Sequence, residues 1–120
     1  MGRLVTGPEG GGPLPPLVLF DRDSYMYGFS SVVALASWFE PLMQEEMACC
    51  FDSSGRAVSV HASGSGWDVR LAVDDPDDDA LRAHARAFLG RFEPDKLSLA
   101  ELPIPAMVEA LASLEGYAIA

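Results

Sequence analysis

Three groups of side chains in this 120-residue chain carry enough chemistry to ask what they do. The first is the acidic run Asp74, Asp75, Pro76, Asp77, Asp78 and Asp79. Carboxylates bind hard cations, but a calcium loop spaces its ligands at alternate positions and closes on a glutamate. This run has neither feature. It suits the start of a helix, where acids complement the positive end of the backbone dipole. The second group is Glu46, His61 and Asp68, which the strand register developed below sets side by side on one sheet face. Such a trio could hold a metal or move a proton, yet no nucleophile stands beside it and an open sheet face makes no pocket. A solvated polar face with weak cross-strand pairing is the expectation. The third group is the adjacent pair Cys49 and Cys50. Neighbours on a strand point to opposite faces, so two separate reduced thiols are expected, and neither has the base or helix N-terminus that activates a thiol.

The remaining candidates are weaker. Ser24, Ser53 and Ser54 lack the strand-turn-helix setting of a nucleophile elbow. Gly10, Gly11 and Gly12 lack the following lysine of a phosphate loop. His84 sits beside an apolar helical stripe and is expected to pack. No enzyme, cofactor or metal site is expected from these residues.

The elements that would position them follow from periodicity. Residues 1–16 hold many of the chain's glycines and prolines and are expected as a flexible arm before a single domain over 17–120. Leu17 to Phe20 is a buried strand, and Asp21 to Gly28 a polar-aromatic loop. Ser30 or Ser31 caps a helix to about Phe39, with Val32, Leu35, Ala36 and Phe39 on one face and Pro41 ending it. Trp38 falls about 240° around the wheel from Val32 at about 100° per residue, away from that face. Glu45 to Phe51 and Arg56 to His61 form a hairpin around Asp52-Ser53-Ser54-Gly55. Pairing Phe51 with Arg56 puts Met47, Cys49, Phe51, Val58 and Val60 on one side and Cys50 on the other. After the turn Ser63-Gly64-Ser65-Gly66, the alternation of Trp67, Val69, Leu71 and Val73 marks a half-buried strand.

The acidic run then opens a helix striped by Leu81, Ala85, Phe88, Leu89 and Phe92. A helical turn spans Leu97 to Leu102. Pro105 begins a last helix through Glu115, with Met107, Val108, Leu111 and Leu114 inward and Gly116 as its cap. The order is β-α-β-β-β-α-α: an α+β two-layer domain, with an antiparallel meander of about four strands packed against three helices.

Charge bounds the function. The 18 acidic and 8 basic side chains leave a net charge of -10, which repels nucleic acid and anionic membrane and attracts basic partners within a Debye length of about 8 Å. No apolar run approaches the roughly 18 residues of a membrane span, and the N-terminus lacks a signal-peptide pattern, so a cytoplasmic protein, monomeric when free, is expected. Tyr25, Tyr27 and Trp38 are the residue types that anchor interfaces, and Glu45, Glu46, Asp68, Asp74, Asp75, Asp77, Asp78 and Asp79 would surround them with charge.

Ser37-Trp38-Phe39-Glu40-Pro41, the acidic pair Glu45-Glu46 and the turn Phe51-Asp52-x-x-Gly55-Arg56 resemble a pattern in small acidic actinobacterial proteins encoded near polymorphic toxins. Val69-Arg70-Leu71 and the helix from Leu81 to Phe92 extend the resemblance, which covers about Leu17 to Leu114. The resemblance implies a non-enzymatic immunity protein that binds and occludes a basic toxin domain, with a nuclease or nucleic-acid deaminase as the target. An acidic interaction module, such as a secretion chaperone or adaptor, is the alternative.

Overall fold

Leu17, Val18, Leu19 and Phe20 are apolar without alternation, which only a strand covered on both faces can satisfy. In the computed structural model, which describes residues 12–119, this strand (β1, Leu17–Asp21) is buried at every position. It lies between β2 (Met26–Phe29) and β3 (Met47–Phe51), with β4 (Arg56–Ser63) and β5 (Gly66–Pro76) beyond, in the antiparallel order β2-β1-β3-β4-β5. Helices α1 (Val32–Trp38) and α2 (Pro41–Glu46) lie between β2 and β3 in the chain. Helix α3 (Asp78–Phe92), a 3-10 segment (Pro94–Glu101) and α4 (Ile104–Ala112) follow the last strand. The fold is α+β, a five-stranded antiparallel sheet with helices packed against it. The flexible arm expected over 1–16 lies, through residue 11, outside the described residues.

Each face of the sheet has its own core. Val18, Phe20, Met26 and Phe51 meet Leu81, Ala85, Phe88 and Leu89 of α3 and Met107, Val108 and Leu111 of α4. On the other face Leu17, Leu19, Phe29, Cys50, Val58 and Val60 gather Leu35, Phe39 and Met43 from the short helices, with Trp67, Val69 and Leu71 at the margin. Helix α1 contacts both edge strands, β2 and β5, so the sheet curls around this second core. The Phe39 and Trp67 rings meet at 4.7 Å. The outer side of β2 is taken by the C-terminal segment: Gly28 N–H donates to Tyr117 O at 3.0 Å, and Ile119 N–H to Gly28 O at 2.7 Å. Gly28 is required there, because a Cβ would stand 2.3 Å from the Ala112 carbonyl oxygen.

Four local expectations are corrected. First, the loop from Asp21 to Gly28 contains strand β2. Asp21 Oδ1 accepts from the N–H of Asp23 at 2.8 Å and of Tyr25 at 3.0 Å, closing a tight turn that returns Met26–Phe29 onto β1. Second, α1 does stop before Pro41, but Pro41 opens α2 as a first-turn proline. Glu45 and Glu46 are therefore helical, not the start of a strand.

Third, Phe51 pairs with Ala57, not Arg56, so the loop is one residue longer. That shift puts Val58 and Val60 on the face of Cys50 and opposite Phe51 and Cys49; Cys50, expected outward, is buried. A bulge, where Phe20 faces Cys49 but Asp21 faces Met47, carries Met47 to the second core as well. Fourth, the acidic run is divided: Asp74, Asp75 and Pro76 finish β5, Asp77 caps α3 by accepting from Ala80 N–H at 3.1 Å, and Asp78 and Asp79 fill the first turn.

Candidate protein-binding surface

The aromatic side chains expected as anchors form a row around β2. Tyr25 lies 5.2 Å from Phe92, 5.3 Å from Tyr117 and 5.1 Å from Tyr27; Trp38 then lies 4.9 Å from Tyr27 and 5.2 Å from Phe29. All three are half-buried, and their ring contacts are to their own chain. Trp38 is covered although it leaves the α1 stripe, because β2 supplies a second packing surface. Tyr27 donates to Asp21 Oδ2 at 3.3 Å; burial, reinforced by that carboxylate, pushes its phenol up to about 12. Tyr117 donates to Glu93 at 2.8 Å, and that bond, with burial behind it, raises its phenol to about 12.

The structure does not assemble Glu46, His61 and Asp68. His61 faces Asp68 across β4 and β5, in the expected register, and Asp68 is ion-paired with Arg70. Glu46 ends α2, where its carbonyl accepts from Arg22 N–H at 2.9 Å. Among the described residues no three His, Cys, Asp or Glu side chains converge to hold a metal. His84 stacks on Phe20 at 5.3 Å, and burial lowers its pKa. Cys49 and Cys50 are free thiols facing different cores; burial pushes Cys49 up to about 12 and Cys50 further, so neither is an activated nucleophile.

The charges are deployed unevenly. Of the eight basic side chains, Arg56, Arg70, Arg82, Arg86, Arg91 and Lys96 are each held by an acceptor of this same chain. Glu40, Glu45, Glu46, Asp74, Asp75, Asp77, Asp78 and Asp79 are exposed, and none of them forms an ion pair among the described residues. They make two acidic zones, one on α2 and one at the junction of β5 and α3.

Two organising residues were missed by sequence reasoning. Asp52 is fully buried and accepts from Leu14 N–H, from the N–H and hydroxyl of Ser54, and from the N–H and guanidinium of Arg56. Burial raises its pKa, but these donors outweigh it and hold the carboxyl below the usual range. An aspartate heading a Ser-Ser-Gly turn was the available signal. Arg82 donates to the carbonyls of Ala100 at 2.8 Å and Leu102 at 2.7 Å, closing the end of the 3-10 segment. Nothing in the helical stripe marked it.

The sheet is also split internally. Strands β3 and β4 register at Phe51 and Ala57 alone and then part. An open cavity of about 320 Å³ is lined by residues 47–50 of β3 and 57–61 of β4, together with Phe39 and Gln44. Its apolar lining includes buried Cys50, Val58 and Val60. No helix among the described residues is long and apolar enough to cross a membrane. No family model, curated protein or solved structure matches this chain.

Proposed function

We propose that this chain is a non-enzymatic inhibitor of the immunity type, which docks onto a basic protein domain and covers its cationic groove with carboxylates. The observation that carries this reading is the unequal use of charge: basic side chains are largely engaged within the fold, while two zones of exposed carboxylates have no ion-pair partner among the described residues. A nuclease or nucleic-acid deaminase domain is the target whose groove is necessarily cationic. Acting on it inside the producing cell, in a reducing cytoplasm, suits a protein with two free thiols. The half-buried rims of Tyr25, Tyr27 and Trp38 would contribute contact area beside Glu45, Glu46, Asp68 and the run from Asp74 to Asp79.

The test is capture of the tagged protein from its native lysate, followed by an activity assay of the partner. One stoichiometric partner with a basic domain, inhibited by added protein, is expected. A partner without a basic surface would overturn the reading. Exposed Val33 (72%) and Leu42 (63%) on the short helices favour a second reading, an adaptor that docks through apolar contacts. Capture of a secretion component, with binding insensitive to salt, would select it.

A further inference from the structure

The sheet has two edges, and they are treated differently. One is closed, because the C-terminal segment bonds the outer side of β2. The other is β5, the last strand in the order. Helix α1 packs against β5 from the second core, the side to which Trp67, Val69 and Leu71 also turn, and makes no backbone hydrogen bond to it. Ser63 faces Gly66 across the turn of Gly64 (φ 57°) and Ser65. In a hairpin closed this tightly, Gly66, Asp68 and Arg70 bond to β4, while Trp67, Val69 and Leu71 direct their N–H and C=O outwards. Those outward groups have no backbone partner among the described residues.

Edge strands are ordinarily guarded by charge, proline or a bulge. On β5 the guards sit at one end. Past Leu71 the register with β4 breaks, and Asp74, Asp75 and Pro76 follow. From Gly66 to Leu71 the only charges are Asp68 and Arg70, which cancel. A chain of net charge -10 thus keeps an edge stretch with no net charge of its own.

We infer that Gly66–Ala72 of β5 pairs antiparallel with the same stretch of a second copy, with Val69 on the twofold axis. The charges select this register. With Val69 opposite Val69, Asp68 faces the second copy's Arg70, Arg70 faces its Asp68, and Trp67 faces its Leu71. Centring on Asp68 or Arg70 instead sets like charges opposite each other, and centring on Leu71 sets Asp68 against Asp74. The Val69 register also matches outward backbone to outward backbone at 67, 69 and 71, for about six hydrogen bonds. Asp68 and Arg70 already form an ion pair at the surface, so two such pairs merge into a cluster of four alternating charges. Asp74 and Asp75 fall beyond the paired stretch. Because this pairing uses the remaining edge of both chains, it closes as a dimer and does not extend. The dimer replaces the monomer expected from net charge, and it is independent of the basic target proposed above.

The experiment is sedimentation equilibrium of the full chain up to about 1 mM in about 0.15 M salt, where weak pairing is populated and charge is screened beyond about 8 Å. A mass that rises with concentration to that of two chains is expected, with slowed NMR amide exchange at Trp67, Val69 and Leu71. Asp68→Arg and Arg70→Asp each set like charges opposite each other and should each weaken self-pairing about tenfold or more. An equimolar mixture of the two variants should pair again, since each arginine then meets an aspartate. That rescue also guards against misfolding, because a damaged chain does not regain pairing. A full chain that keeps the mass of one chain at about 1 mM, a dimer indifferent to both substitutions, a mixture that does not pair, or growth beyond two chains overturns the inference.

Discussion

Asp52 is the side chain on which the β3-β4 loop and the start of the described chain both depend. Replacing it with alanine strands three backbone N–H groups and leaves Arg56 without its counter-ion, and Asp52→Ala is expected to cost about 3 kcal/mol, read as a lower urea midpoint. Its lowered pKa also fixes a direction with pH. A carboxyl more acidic in the fold than in the unfolded chain, where its value is about 4, stabilises fully above that value and loses this contribution as pH falls through its folded value. His84, lowered by burial, acts earlier: below about 6.5 the unfolded chain takes up the proton more readily, so stability declines there too. Unfolding by urea across pH 3 to 8 should therefore show two steps of loss on acidification, and His84→Leu should remove the upper one. At this scale the sequence was legible where a residue packs, as at His84. It was silent where one polar group gathers several backbone donors, because those donors come from positions as distant as Leu14.

Among elements, the strand from Trp67 to Leu71 and its pairing with β4 could be read from strict alternation: His61 opposite Asp68 and Ala62 opposite Trp67 are as expected. Strand β2 could not, because it is only four residues long with Gly28 inside it, and the turn that creates the strand is made by the Asp21 side chain. Helix α2 was hidden by a proline with two meanings, since Pro41 both forbids continuation of one helix and favours the first turn of the next. The hairpin register slipped by one residue because Asp52 accepts from the N–H and guanidinium of Arg56, so that Phe51 pairs with Ala57 and Val58 and Val60 turn to the other core. The tightest joint between elements is Gly28 against α4. Gly28→Ala would force the strand and the Ala112 carbonyl apart, at a cost of about 3 kcal/mol or more. Faster amide exchange at Ile119, whose N–H is bonded to Gly28, would accompany the lower melting temperature.

For the whole molecule, what decides binding is where charge remains available. Exposed carboxylates act over about 8 Å at physiological salt, enough to steer an approaching basic domain but not to hold it. Once a partner is captured, its association rate should fall about tenfold or more between low and high salt while dissociation changes less, and Asp74→Asn, Asp75→Asn, Asp78→Asn should flatten that slope. A salt-independent association rate would remove steering from the account. The fastening of β2 by Tyr117 and Ile119 bears on a different property, the tendency of this chain to polymerise. A chain stopped after Leu114 would present the bare side of β2 at Gly28, with its N–H and C=O free to recruit the same strand of another molecule. Sedimentation of that truncated chain should show growing assemblies where the full chain stays a single species. The last few residues would then act as a stopper that keeps an acidic sheet from extending itself.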